Sequence, residues 1–282
     1  MEVFNPLNMR ELKECLPLLK PGAVIAGGCT DLSVRFLKKR KPDQLLNITL
    51  ADGLKGIFVQ DGFLRIGAAV TLTEIEEYPL PDGLAALRQA VSGIGSKQVR
   101  NAATIGGNIM NASPAGDLLP CLFMFGALVE YMKPDGAVCE RSVEEVVTGA
   151  EKTSLAYNEV LTTVKIPFPP SGFHSGFWKL GFRKRVTIAR INIAMSALGH
   201  NGKIDEVRFF LGAVAPVPVR IHEAEDILIE NKWDFSVCDK LTEYLSDMLK
   251  RTVPEEFDRD YKALAVKGAV HDILHMFPYW EE

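Results

Sequence analysis

Two glycine-rich segments of this chain contain residues whose types and spacing could serve a chemical function. The first is VIAGGCTDL at 24–32, and the second is NAATIGGNIMNASPAGDLLP at 101–120. Because glycine has no Cβ, such a loop lets several backbone N–H groups converge on an anionic oxygen without a lysine. Glycine pairs also occur at bulges and tight turns, but two such loops together favour a clamp on one dinucleotide.

Other nucleotide and catalytic motifs are absent. Gly93 and Gly95 begin a GxGxxG pattern that fails at Gln98, and there is no GxxxxGK[ST], GxSxG or HExxH. His271 and His275 offer two metal ligands without a third, and none of the five cysteines has CxxC spacing. We therefore expect no metal site, no disulfide framework and no catalytic acid, base or nucleophile.

The composition favours an ordinary globular protein. Of its 282 residues, 47% are hydrophobic and 24% charged, and the formal net charge is −4. No basic field supports nucleic-acid binding. The chain opens without a signal-peptide pattern and has no run of about 18 apolar residues. These features predict a soluble, cytoplasmic protein without a membrane span.

The first glycine loop follows a predicted buried strand. The apolar run Ala23–Ala26 precedes it, and residues 32–39 can continue as a helix. Farther on, Asp61-Gly62 between two apolar runs is typical of a type I′ hairpin turn. Pro17 is expected to disturb the first helix. Capping boxes are predicted at Asn8 with Glu11, Thr71 with Glu74, and Ser142 with Glu145.

A proline-rich segment predicts a domain boundary. Three prolines between residues 167 and 170 cannot continue a central strand or a helix, so domains are expected at 1–168 and 172–282. The second domain begins with strand patterns and an Asn201-Gly202 turn and ends with helical patterns up to His275. Strands followed by helices predict an antiparallel α+β domain.

Three segments together resemble a known family. AGGCTDL at 26–32, GSKQVRNAATIGGNIMNASPAGDLLP at 95–120 and FWKLGFRK at 177–184 are similar to the FAD-binding subunits of xanthine and carbon monoxide dehydrogenases. The resemblance extends over essentially the whole chain. It implies an α+β fold: a two-lobed FAD-binding domain of the vanillyl-alcohol-oxidase/PCMH type, with lobes at about 1–55 and 56–168, and an α+β C-terminal domain with an antiparallel sheet and helices. The flavin would lie between these domains.

The resemblance also implies which residues bind FAD. In that family the two glycine loops hold the pyrophosphate. The residues implied are Val24, Ile25, Ala26, Gly27, Gly28, Cys29, Thr30, Asp31, Gly95, Val99, Ala103, Thr104, Ile105, Gly106, Gly107, Asn108, Asn111, Gly116, Asp117, Val160, Leu161 and Lys179. Asp117 would lie near a ribityl or phosphate hydroxyl, and Lys179 would reach the cofactor from the second domain. From the residues alone, a solvated strand lysine is the alternative for Lys179, and Leu161 is as readily a core leucine as a flavin neighbour.

The function implied is electron transfer within a molybdenum hydroxylase. Electrons would come from a large molybdopterin-binding partner through two [2Fe-2S] clusters on a small partner to this FAD, and then pass to NAD⁺ or another acceptor. A dimer of heterotrimers is implied. The competing hypothesis is a stand-alone flavin oxidase with its own organic substrate and a flavin attached through histidine or cysteine. Cys29, which departs from the family pattern, is the candidate for attachment. A scaffold without flavin turnover is a third hypothesis.

Overall fold

A computed structural model describes residues 1–38, 41–183, 186–200 and 203–279. Its strands are β1 Glu2–Phe4, β2 Val24–Ala26, β3 Gln44–Asn47, β4 Ile57–Gln60, β5 Phe63–Gly67, β6 Leu128–Met132, β7 Val138–Ser142, β8 Val147–Gly149, β9 Lys152–Thr153, β10 Val160–Pro167, β11 Phe173–Gly181, β12 Ala189–His200, β13 Lys203–Gly212 and β14 Val219–Arg220. Its helices are α1 Met9–Cys15, α2 Leu32–Lys38, α3 Leu72–Glu77, α4 Ala85–Ser92, α5 Lys97–Arg100, α6 Ile105–Asn111, α7 Leu118–Met124, α8 Val143–Val146, α9 His222–Glu230, α10 Phe235–Thr252 and α11 Arg259–Leu274.

These elements form two compact units that interleave along the chain. Unit 1 consists of Met1–Tyr78, Ser96–Ala112 and Gly126–Phe168. Unit 2 consists of Pro79–Gly95, Ser113–Phe125 and Pro169–Glu282. Two segments of unit 2 thus precede the proline-rich segment at 167–170. The division into domains at 1–168 and 172–282 stays a prediction.

Unit 1 contains a parallel and an antiparallel sheet. The parallel sheet has three strands in the order β1-β3-β2. The antiparallel sheet has five strands in the order β4-β5-β10-β6-β7, and the short β8-β9 hairpin follows β7 in the chain. Ala26, the last residue of β2, is fully buried, so the first glycine loop starts from a fixed strand end.

Local sequence signals in unit 1 are largely confirmed. Asp61 and Gly62 both have positive φ, at 52° and 76°, as a type I′ turn requires. Thr71 and Ser142 open complete capping boxes. At the first helix the predicted box is incomplete, because the Glu11 carboxylate accepts from the N–H of Leu7 instead of that of Asn8. That α-helix ends at Cys15, and a 3-10 turn that contains Pro17 follows it.

Unit 2 is built on one antiparallel sheet in the order β11-β12-β13-β14. Ile193 and Met195 of β12 belong to a core that helices α9, α10 and α11 complete. Ala194, which lies between these two residues, points to the opposite face, as strand alternation requires. On β13, Phe210 meets Phe123 of α7 edge to face at 6.4 Å. The predicted antiparallel α+β fold is confirmed for this half of the chain.

Helices α4 and α7 belong to unit 2 because their buried side chains lie against its sheet. All seven residues of α7 are buried. The hydroxyl of Ser175 on β11 accepts from the N–H of Ala86 on α4 and donates to the carbonyl of Gly83. The N–H of Phe177 donates to the side chain of Gln89. These bonds hold α4 to the edge strand of the sheet.

The Asn201-Gly202 turn lies outside the described residues. No helix among the described residues is both long enough and apolar enough to cross a membrane.

Candidate functional site

Unit 1 contains a cleft of about 420 Å³, within the size range of small-molecule sites. Three stretches of chain form its walls: the first glycine loop with the start of α2, the second glycine loop with α6, and the segment from β9 to β10. The lining residues are Ala23, Val24, Ile25, Gly27, Gly28, Cys29, Thr30, Asp31, Leu32, Arg35, Ile48, Ala103, Thr104, Gly106, Gly107, Asn108, Met110, Asn111, Thr153, Leu155, Ala156, Tyr157, Glu159, Val160 and Leu161.

The first glycine loop offers hydrogen-bond donors to this cleft. The carbonyl of Ala26 accepts from the N–H of Ile48, which ties the start of the loop to the parallel sheet. Within the described chain, the backbone N–H groups of residues 27–31 donate to no protein acceptor. Consecutive N–H groups of this kind bind anionic oxygens. The loop therefore suits a phosphate or pyrophosphate group.

Close contact with the second loop requires glycine at positions 27 and 28. A Cβ placed on Gly28 would stand 1.5 Å from the carbonyl oxygen of Ala102. A Cβ on Gly27 would stand 2.4 Å from the hydroxyl oxygen of Thr104. The two loops are thus in direct contact, and the missing side chains are a condition of that contact.

The second glycine loop uses its N–H groups differently. The N–H of Ile105 donates to the carbonyl oxygen of Val70 at 3.0 Å, and the N–H of Gly106 donates to the carbonyl oxygen of Ala68 at 3.0 Å. The N–H of Gly107 donates to the Thr104 hydroxyl, which caps α6. The first turn of α6 is therefore anchored to the protein itself. Free backbone donors were expected from both loops, but in the described chain they are concentrated in the first.

Gly107 faces the open side of the second loop. A Cβ added there would meet the Thr104 hydroxyl oxygen at 2.9 Å and no other heavy atom within 4 Å. Gly107 lines the cleft together with Asn108 and Asn111. The loop thus presents a glycine surface and amide side chains to a ligand.

Cys29 is exposed within the first loop and lines the cleft. Its φ of 57° lies in the left-handed region, which residues other than glycine seldom adopt. Desolvation raises the pKa of its thiol. A higher pKa lowers the fraction of reactive thiolate, which disfavours a covalent bond to a ligand.

The third wall combines a predicted pair with residues that the sequence analysis missed. Val160 and Leu161 line the cleft and are also buried, 1% and 3% exposed, so Leu161 is both a core leucine and a cleft residue. The segment from Leu155 to Tyr157 carried no recognisable motif. On the first wall, Arg35 was also missed, although it follows Asp31 by one helical turn, a spacing that favours ion pairing.

Several predicted contacts do not line the cleft. Ala26 and Ile105 are fully buried behind the two loops. Val99 lies on α5, and its carbonyl accepts from the N–H groups of Ala102 and Ala103, at 3.1 and 2.7 Å. This contact fixes the start of the second loop.

The remaining predicted residues, Gly95, Gly116, Asp117 and Lys179, belong to unit 2. Lys179 Nζ lies 2.5 Å from Asp117 Oδ2 and donates to the carbonyl of Gly93 at 3.1 Å. The two side chains are only 11% and 5% exposed, so Lys179 is not a solvated strand lysine. Asp117 also accepts from Asn192 Nδ2 at 3.2 Å. Burial raises the pKa of Asp117, although the charge of Lys179 opposes the shift.

Asn192 completes this buried group without satisfying all of its own atoms. Its Oδ1 is buried and has no hydrogen-bond partner among the described residues. A Cβ on Gly212 would stand 2.1 Å from that oxygen. The glycine on the neighbouring strand therefore makes room for the amide. Across the described ranges, no three His, Cys, Asp or Glu side chains are grouped as metal ligands would be.

The glycine-lined cleft with its free backbone donors suits a phosphate-bearing ligand, and comparison with known families identifies the class of protein. The family model for the FAD binding domain in molybdopterin dehydrogenase matches residues 1–169. The model for the CO dehydrogenase flavoprotein C-terminal domain matches residues 177–275. The chain therefore belongs to the FAD-binding subunits of the molybdenum hydroxylase family, and the resemblance stated from its motifs is confirmed.

Individual relatives agree with this assignment. The chain is 31% identical over 241 residues to the nicotinate dehydrogenase FAD-subunit of Eubacterium barkeri, covering 81% of this chain and 79% of that protein. It is 32% identical over 210 residues to a putative xanthine dehydrogenase FAD-binding subunit of Escherichia coli, covering 73% and 71%. Carbon monoxide dehydrogenase of Hydrogenophaga pseudoflava contains a chain of the same fold, with a TM-score of 0.87, 24% identity and coverage of 98% and 96%.

Proposed function

We propose that this chain holds FAD non-covalently in the unit 1 cleft and serves as the electron-transfer subunit of a molybdenum hydroxylase. The observation that carries the proposal is the row of free N–H groups at residues 27–31 beside a glycine surface. Such a surface fits a pyrophosphate group. Asn108 and Asn111 supply side-chain amides on the opposite wall. Gly95, Gly116, Asp117 and Lys179 of unit 2 remain predicted contacts.

Bound FAD would supply the redox chemistry, and this chain would bind, orient and tune it. Val160 and Leu161 give the cleft an apolar wall next to the polar glycine loops. Among the described residues, the carboxylates on the cleft are Asp31, which is paired with Arg35, and Glu159, whose Oε2 accepts from the N–H of Ala156. Both carboxylates thus have structural partners. This arrangement agrees with a role in binding rather than in acid–base catalysis.

The electron path is proposed from the family. A large molybdopterin-binding subunit would oxidise the substrate, and two [2Fe-2S] clusters on a small subunit would deliver electrons to this chain. NAD⁺ or another acceptor would receive the electrons, and a dimer of heterotrimers is the proposed assembly. The named relatives act on nicotinate, xanthine and carbon monoxide, so the substrate depends on the partner subunit. The cytoplasmic location stays a prediction.

The proposal is tested by anaerobic reduction of the FAD-loaded chain. NADH should bleach the flavin absorption, because hydride transfer between NADH and flavin is reversible. Adding the large and small partner subunits with their substrate should bleach it without NADH. Bleaching by the substrate but not by NADH would reject NAD⁺ as the acceptor. Bleaching by an organic substrate in the absence of partners would instead support the flavin oxidase.

The oxidase hypothesis also predicts a covalent flavin, for which Cys29 is the cysteine on the cleft. If the flavin is non-covalent, acid precipitation should release FAD from both the unchanged chain and the Cys29→Ser variant. Flavin that stays with the precipitated unchanged chain but leaves the variant would show attachment at Cys29. That result would overturn the non-covalent site.

A further inference from the structure

Arg35 is the only cation among the described residues that line the cleft. Its guanidinium reaches three parts of unit 1. Nε pairs with the carboxylate of Asp31 at the end of the first glycine loop. Nη2 donates to Asn111 Oδ1 at 2.7 Å and lies 3.4 Å from the carboxylate of Glu151. Asn111 is the last residue of α6, and Glu151 lies in the turn between β8 and β9.

The bond to Asn111 determines what that amide offers to a ligand. An asparagine amide has an accepting oxygen at one end and two N–H donors at the other. Because Arg35 occupies the oxygen, the donor end is left for the cleft, where phosphate and hydroxyl oxygens accept hydrogen bonds. Without Arg35 the amide could rotate and present either end.

The Arg35 guanidinium is itself held in place by partners on both sides. Asp31 is four residues earlier, so the pair lies on one face at the start of α2. Packing holds only part of this helix, since Val34 and Leu37 are 50% and 88% exposed. On the other side, the N–H of Glu151 donates to the carbonyl of Ala112 at 2.8 Å, which fixes the turn to the end of α6. Polar bonds of Arg35 thus connect α2 to a wall that is already anchored.

We infer that Arg35 is a positioning residue for FAD, which orients the Asn111 amide as a hydrogen-bond donor to the cofactor. The inference deepens the proposed function and rests on it. It assigns to Arg35 a role distinct from charge attraction. A lysine would keep the positive charge beside Asp31 but lacks the planar fork that bonds two acceptors in fixed directions.

The experiment measures the rate at which FAD leaves the loaded full-length chain, followed by flavin fluorescence after dilution. Arg35→Lys should release FAD about tenfold faster, the size expected for one charge-assisted hydrogen bond. Asn111→Ala should show a similar increase. The double variant should release FAD no faster than Asn111→Ala alone, because Arg35 acts through Asn111. Arg10→Lys, at the exposed Arg10–Glu14 pair, is the matched control and should leave the rate unchanged.

A further variant separates positioning from stability. Asn111→Asp keeps an acceptor for the Arg35 guanidinium, so the link between α2 and α6 should remain, yet the donor end is lost. FAD release should therefore accelerate while the thermal midpoint is maintained. Release from Asn111→Asp at the unchanged rate, or fully additive effects of Arg35→Lys and Asn111→Ala, would overturn the inference.

The proposed function fails in a different way. If the unchanged chain takes up no FAD, the binding proposal itself is wrong, and this is seen before any variant is made. If the unchanged chain binds FAD and Arg35→Lys releases it at the same rate, only the role of Arg35 is overturned.

Discussion

The carbonyl oxygen of Ala102 stands 1.5 Å from the position that a Cβ on residue 28 would occupy. Gly28 thus lets the first glycine loop lie directly on the backbone of the second. A backbone oxygen cannot turn aside as a long side chain can. The contact between the loops, which forms the floor of the proposed FAD site, therefore tolerates no methyl group at residue 28.

Gly28→Ala should destabilise unit 1 and abolish FAD uptake together. The added methyl group forces a backbone shift, for which we expect a loss of about 1–3 kcal/mol or more. Thermal unfolding and FAD titration measure the two effects. Gly268→Ala is the control, because nothing lies within 4 Å of its added Cβ and it is inside α11, where alanine should stabilise by about 0.5–1 kcal/mol. A Gly28→Ala chain that is stable and binds FAD normally would contradict the loop contact.

Gly107→Val should abolish FAD binding without unfolding unit 1, and it should thereby separate the loss of FAD from the loss of stability. At this position an added Cβ meets only the Thr104 hydroxyl, so the apoprotein should fold, while the branched group crowds the cleft. We expect FAD retention to be lost and the circular dichroism spectrum to be preserved. Stoichiometric FAD in the purified variant would show that the clamp is elsewhere.

Lys179→Met should destabilise unit 2, because it leaves the buried Asp117 carboxylate without its cation. Removing one partner of a buried ion pair costs about 3–5 kcal/mol. Denaturant unfolding measures the loss. The double variant Lys179→Met with Asp117→Leu should recover a large part of it, since no charge is then left buried. Equal stability of the single variant and the unchanged chain would show that this pair contributes nothing.

Lys262 should make the stability of unit 2 depend on pH in the alkaline range. Burial lowers the pKa of Lys262 below its ordinary 10.5, with Asp258 opposing the shift. Between the lowered pKa and 10.5 the unfolded chain binds the extra proton, so stability rises with pH in that window. The neutral amine can still donate to the carbonyl of Ala213, which Lys262 contacts at 2.6 Å.

The measurement is the free energy of unfolding at several pH values for the unchanged chain and for Lys262→Met. The free energy of unfolding of the unchanged chain, relative to that of Lys262→Met, should increase as pH rises and level off above 10.5. Two curves that stay parallel throughout would show that the pKa of Lys262 is the same in the folded and unfolded chains.

Short-range signals made much of the fold predictable. The Asp61-Gly62 turn, the Thr71 and Ser142 caps and the strand before the first glycine loop follow from residues a few positions apart. The glycine pairs were recognisable because only a residue without a Cβ permits a close backbone approach. Such features require no knowledge of distant contacts.

Long-range contacts set the limit of this prediction. Asp117 and Lys179 are separated by 62 positions, and Arg35 and Asn111 by 76, and no local pattern links either pair. The family resemblance supplied Lys179 and Asp117 but not their mutual ion pair. The assignment of α4 and α7 to unit 2 depends on the sheet that they bury against, which adjacent residues do not reveal.

The most direct test of the central claim is a titration of the purified full-length chain with FAD, followed by acid precipitation. We expect one FAD to bind per chain and to appear free in the supernatant. A chain that takes up no FAD, or one whose flavin stays with the precipitate, would contradict the non-covalent site in unit 1.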